Sequence, residues 1–302
     1  MKTIVIKKVA TLILAFMFGI VGKAQTFIYK GDVNLDNAVD VADISSIVEI
    51  MAMDIKDSIF IDSNKDTIVV RDTIVVKDIP DADKTPEGVE PVDLGLPSRT
   101  KWANMNIGAT TPGDYGKYFA WGTTEGYSMD DAYSFEWGSY EWMNSDGPEL
   151  SWRKISKYRI YDDKKEGEWY DKDGKFVGDT IAAILLEDDA ARQIWGSYWR
   201  MPSKEDFEEL MDYCKFEWAQ YGGVFGYKFT SKINNDKHIF LPAAGYRKEK
   251  SKVDDNKGCY WTTAVSPTNT ARAKTFYFSS EKANISDNFR YCGLSIRPVR
   301  KD

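Results

Sequence analysis

Five oxygen-bearing side chains recur at short intervals near the N-terminus: Asp32, Asn34, Asp36, Asp40 and Asp43. Counted from Asp32, they hold places one, three, five, nine and twelve of a loop whose seventh residue, Ala38, offers its backbone carbonyl. Calcium takes roughly six to eight oxygens in flexible geometry, and a loop of this spacing wraps them around one point. Carboxylates so close together repel one another unless a cation joins them. Asn37 stands where the chain must turn sharply, and asparagine tolerates the left-handed backbone needed there. The expected ligands of a Ca2+ ion are therefore Asp32, Asn34, Asp36, Ala38, Asp40 and Asp43.

Such a loop needs an element to hold it. Val41, Ile44, Ile47, Val48 and Met51 follow at helical spacing, which predicts a short amphipathic helix leaving the loop. Upstream, QTFIYKG is too short for an entering helix. A loop with only an exiting helix resembles one repeat of a type I dockerin, over Lys30 to Met53. The resemblance implies calcium binding and a cohesin-like protein domain as partner. Dockerins carry two repeats, and this chain has one clear copy. Asp62, Asn64 and Asp66 begin a second loop, but Val70 and Thr73 stand where acids belong.

Ahead of the loop, Lys2, Lys7 and Lys8 precede an apolar run from Val9 to Val21, with Gly22 and Ala24 before Gln25. This predicts a signal peptide over 1–24 and an exported protein of the periplasm, cell surface or extracellular space. No later segment is apolar enough to cross a membrane. Loss of residues 1–24 takes the net charge from −7 to −11, which excludes nucleic acid as a natural partner and suits calcium and neutral ligands. A single histidine, His238, excludes multi-histidine zinc sites.

The dockerin-like repeat is assigned to 25–57. Residues 58–88 contain the short repeat DTIVVRDTIVVKD and end in turn-forming IPDADKTPEG. They predict a semi-extended spacer or, alternatively, an edge strand. A larger domain follows over 89–302.

In that domain TKWANMNIG, GKYFAWG, HIFLPAAGYR, GCYWTTAV, AKTFYFS and GLSIRPV read as short strands. Two helices are expected between them. IAAILLEDDAARQIWG carries Ile181, Ile184, Leu185, Ala191 and Trp195 near one face, with Glu187, Asp188 and Asp189 on a solvated face. PSKEDFEELMDYCKF has Ser203 as N-cap, Asp206 completing a capping box, and Phe207, Leu210, Met211 and Cys214 as its buried stripe. The expected class is α+β, with short antiparallel strands and two helices beside the small calcium loop–helix module.

VDLGLPSRTKWANMNIGA, GKYFAWG, WGSYWRMPSKEDFEEL, IFLPAAGYR, GCYWTT and SIRPV, in that order, resemble the Fibrobacter succinogenes major paralogous domain, a family of secreted proteins of Bacteroidetes and Fibrobacteres. The resemblance implies a C-type-lectin-like fold, similar to that of formylglycine-generating enzymes. Arg99 stands where the family's LPSG turn has glycine. The copper chemistry of those enzymes needs two closely spaced cysteines, which Cys214, Cys259 and Cys292 do not provide.

No catalytic residue is assigned. Trp137, Trp142, Trp152 and Trp169, with Tyr140 and Tyr170, lie in a long connection rich in polar residues. They either form a ligand platform, for a glycan among others, or pack a small satellite core. Cys259 and Cys292 lie in two predicted strands, and a disulfide joins them if those strands pair; Cys214 reads as a packed thiol. The leading reading is a non-catalytic modular protein that docks through calcium and binds a ligand. A polysaccharide-degrading enzyme or accessory module tethered to a complex, and a surface-structural or adhesive protein, are the alternatives.

Overall fold

The computed structural model describes residues 60–61, 68–69, 83–144, 152–163 and 165–301. The chain divides into two units, Met1–Lys77 and Asp78–Asp302. In the first, β1 (Phe60–Ile61) pairs antiparallel with β2 (Ile68–Val69), inside the segment expected to be a spacer. The signal segment, the calcium loop and its exiting helix lie outside the described residues.

In the second unit the chain runs through β3 (Pro91–Val92), β4 (Lys101–Ala103), β5 (Tyr118–Phe119) and β6 (Gly126–Tyr127). It continues through α1 (Ala190–Trp195), β7 (Trp199–Arg200), α2 (Lys204–Tyr213), β8 (Cys214–Tyr221), β9 (Val224–Ser231) and β10 (His238–Pro242). Last come β11 (Tyr246–Lys248), β12 (Ser251–Val253), β13 (Gly258–Val265), β14 (Arg272–Phe278), β15 (Ala283–Phe289) and β16 (Val299–Arg300). The sheets run in the orders β3-β4-β16-β7, β10-β9-β8 and β13-β14-β15, with two-stranded β5-β6 and β11-β12.

The α+β expectation is corrected by these elements. Strand makes up 35% and helix 12%, in several small antiparallel sheets, so the architecture is mainly β. Two local outcomes carry the difference. The stretch 181–196, read as one helix, has a 3-10 turn at Leu186–Asp188 and is α-helical only from Ala190. Ahead of that, Ile184 N–H donates to Thr263 O and Val265 N–H to Ala182 O, which lays 181–185 along β13 as extended chain. Then KFEWAQYGGVFGYKFTS forms the β8–β9 hairpin, which the reading of the sequence passed over. Gly222 and Gly223 take φ of +56° and +89° at its tip. A doublet of glycines at positive φ supplies the twist a two-residue hairpin turn requires.

α2 forms as expected. Ser203 Oγ accepts from Asp206 N–H at 3.2 Å, and Asp206 accepts back from Ser203 N–H at 2.6 Å. Phe207 and Leu210 are fully buried, each contributing roughly 1.5–3 kcal/mol. They meet Tyr227, Phe229, Ile239 and Leu241 from the β8–β10 sheet and Phe276 and Phe278 from β14 in one core cluster. A second cluster gathers Trp121, Trp195, Trp199, Trp261, Leu294 and Ile296.

Residues at the end of the expected spacer pack on this domain. Lys84 N–H donates to Trp195 O at 3.0 Å, and Trp199 Nε1 donates to Thr85 Oγ1 at 2.6 Å. Arg99 takes φ of 62°, the left-handed conformation a glycine would hold there. No helix among the described residues is long and apolar enough to cross a membrane.

Candidate functional site

The expected calcium ligands, Asp32 to Asp43, lie outside the described residues. The tryptophans of the long connection are described, and they pack inward. Trp169 is fully buried and forms a satellite core with Ile155, Tyr170 and Ala271. Trp152 lies 5.9 Å from it, ring to ring. Trp137 meets Tyr291 at 4.7 Å, and Trp142 Nε1 donates to Gly122 O at 2.7 Å. Trp169 follows the satellite-core reading and fastens the loop to the domain, whereas Trp137, Trp142 and Trp152 are half-buried.

Cys214, Cys259 and Cys292 are buried free thiols, so the expected Cys259–Cys292 bond is not formed in this structure. Cys259 lies on β13, and Cys292 follows β15, which pairs with β14 and not with β13. Burial pushes the Cys214 thiol up to about 11 and that of Cys292 up to about 12.

The three consecutive acids do not share a solvated face. Glu187 is exposed, whereas Asp188 and Asp189 are buried. Asp189 caps α1, accepting from Ala191 N–H at 2.9 Å and Arg192 N–H at 3.2 Å, and it also accepts from Met201 N–H at 2.9 Å. Asp188 accepts from the Tyr158 hydroxyl and from Lys157 Nζ at 2.6 Å. Burial raises both carboxyls above their ordinary value. The Lys157 ammonium lies 4.5 Å over the Trp142 ring and covers Asp188. Asp188 and Asp189 are thus committed to separate networks, and Lys157 also reaches the exposed Glu187 at 3.4 Å.

Buried arginines are similarly occupied. Arg290 donates to the Tyr140 hydroxyl and Lys157 O, both at 3.0 Å, and lies 4.8 Å over the Trp121 ring. Arg247 donates to the carbonyls of Ser128, Asp131 and Tyr133. Arg297 donates to Asn106 Oδ1, Ala103 O and Phe240 O. These cations hold loops and strands together through carbonyl and hydroxyl oxygens.

An open groove of about 420 Å³ lies on the outer face of β8–β9–β10. The pleat sets Lys215, Glu217, Ala219 and Tyr221 on that face. The register brings Lys228 opposite both Glu217 and Phe240, and His238 opposite Thr230. Gly226 is needed here, because a Cβ would lie 2.2 Å from Leu241 O and 2.7 Å from the Phe240 ring. Without a side chain at 226, the Phe240 ring settles against the sheet, 5.6 Å from that of Tyr221. Tyr221 is 45% exposed, so part of its ring faces solvent. Glu90 and Asp236 balance Lys228 and Lys237 around the rim.

An aromatic face beside balanced donors and acceptors can hold a neutral polar ligand that also has an apolar face. Sequence reading missed these residues. The signal for them was the alternation on both sides of Gly222-Gly223, which defines the sheet carrying the groove.

A family model described as a domain of unknown function (DUF8237) matches residues 227–299. No curated protein matches the chain, and no solved structure matches it. The matched segment runs from β9 to β16 and includes Lys228, His238 and Phe240 of the groove, and over that segment the chain is similar to this family.

Proposed function

We propose that the protein is an exported, modular binding protein. Its N-terminal loop binds Ca2+ and docks to a cohesin-like partner, and its β-rich domain binds a neutral glycan. The first half rests on the spacing Asp32, Asn34, Asp36, Ala38, Asp40 and Asp43 and on the dockerin resemblance. The single observation behind the second half is the β8–β10 groove, where Tyr221 stands over a rim whose charges cancel. A sugar offers such a site an apolar C–H face for the ring and hydroxyls for the polar rim. The resemblance to the Fibrobacter succinogenes major paralogous domain supports a secreted protein.

The test is a glycan array probed with the purified protein, followed by calorimetry on any sugar retained. Tyr221→Ala is expected to abolish retention while leaving the melting temperature unchanged. Equal retention by the variant sinks the groove assignment, and release of reducing sugar from a bound glycan replaces binding with catalysis.

A further inference from the structure

β8 is an end strand: its eight residues pair with β9 on one side, and no described strand lies on the other. Exposed edges are commonly guarded by prolines, bulges or charged side chains, and Lys215 and Glu217 are the only charged side chains on β8. β8 has no proline, and its register with β9 runs unbroken from Cys214↔Ser231 to Tyr221↔Val224.

The edge is also apolar. Tyr213, Phe216, Tyr221, Phe225 and Ile233 lie on this hairpin or at its ends, five of the eight large apolar side chains exposed among the described residues. Phe216 is 43% exposed although it points to the core side of the sheet, because nothing described flanks β8 there.

The charges on either side of Phe216 have opposite signs. Lys215 and Glu217 are exposed, and neither forms an ion pair with another described residue. In an antiparallel pair of identical strands centred on Phe216, Lys215 of each copy stands opposite Glu217 of the other. Across the joined sheet the row then reads Lys228, Glu217, Lys215 of the second copy, Thr230 of the second copy. Opposite charges directly across an antiparallel pair stabilise it, and like charges destabilise it.

We propose that β8 pairs with β8 of a second copy of this chain, antiparallel and centred on Phe216, making one continuous six-stranded sheet. The interface is isologous, as in most two-copy assemblies. It pairs Cys214–Trp218 of each copy and brings the two Phe216 rings together on the core side. The two-fold axis stands perpendicular to the sheet, so both β8–β10 grooves face the same way. A ligand with repeated units would then engage both, with the gain that bivalence brings. The pairing stands whether or not the groove binds a glycan.

Sedimentation velocity of the full purified chain over a concentration series tests the pairing. The wild type is expected to sediment as a dimer. Lys215→Glu, which sets acid opposite acid at both ends of the pair, is expected to lose the dimer and keep the wild-type melting temperature. Lys215→Glu combined with Glu217→Lys exchanges the charges and is expected to restore it. A wild type that stays monomeric overturns the proposal. So does a dimer that survives Lys215→Glu, which places the contact elsewhere, and so does a charge-exchanged variant that stays monomeric.

Discussion

Arg297 Nε donates to Asn106 Oδ1 at 2.8 Å, joining two residues 191 positions apart. The same guanidinium reaches Ala103 O at 3.0 Å and Phe240 O at 2.8 Å. Complete burial pushes Arg297 down to about 10, still cationic at neutral pH. One side chain thus ties the segment before β16 to the chain around β4 and to β10.

Replacing Arg297 with Met keeps much of the bulk and removes every donor. Asn106 Oδ1, Ala103 O and Phe240 O are then left without this partner in the interior. Each stranded acceptor costs about 1–3 kcal/mol, and partial relaxation brings the expected loss to roughly 3 kcal/mol. Urea unfolding followed by tryptophan fluorescence measures it. A loss inside experimental error would mean that water or another side chain replaces the guanidinium.

Asp206 gives a pH signature. Burial raises its carboxyl, but Arg200, bound at 2.6 and 2.9 Å, and the Ser203 bonds outweigh burial and hold it below its ordinary value of 3.8. A carboxyl lowered on folding contributes stability above its unfolded value and loses it as pH falls through the folded one. Asp206→Asn is expected to cost about 2 kcal/mol at neutral pH, since Arg200 is partly exposed. That gap from wild type should close as pH falls below 3.8. Asp188 and Asp189 are raised and titrate with the opposite sign, but they are common to both proteins and cancel in the difference. A gap that stays constant down to acid unfolding contradicts the assignment.

Trp169→Ala separates packing from recognition. The fully buried indole anchors the satellite core, and large-to-small changes at such sites cost about 3–5 kcal/mol. The expected result is a lower melting temperature and earlier proteolysis within the connection between β6 and α1. Unchanged stability together with lost ligand binding would return Trp169 to a recognition role.

Calcium binding is checked by calorimetry on residues 25–302. One ion per chain is the expected stoichiometry, with Asp32→Ala and Asp43→Ala each abolishing the heat. Chelation is expected to release a cohesin-like partner and to leave the β8–β10 groove working. Binding retained in both variants would rule out the loop as the site.

The sequence by itself determined whatever local chemistry settles. Ser203 and Asp206 start α2 because a capping box needs only residues three apart, and Phe207 and Leu210 follow on one helical face. The strand character of 258–265 and 272–278 was legible for the same reason, in their runs of β-branched and aromatic residues. The Gly222-Gly223 doublet was equally local, and the hairpin around it could have been read.

Tertiary structure alone decided which segments became neighbours. Residues 181–185 have helical periodicity, yet they lie extended because the backbone of 263–265 offers them partners. Asp188 and Asp189 look like surface acids until Tyr158, Lys157 and the Met201 N–H are brought to them. The tryptophans from 137 to 169 suit a sugar platform or a core equally well in sequence, and only the nearness of Tyr291, Gly122 and Ala271 turns them inward. The groove gathers Glu90, Tyr221 and His238 from separate stretches of chain. The physical reason is the same in each case: burial and hydrogen bonding depend on what lies across space, and periodicity along the chain records only which side of an element is apolar.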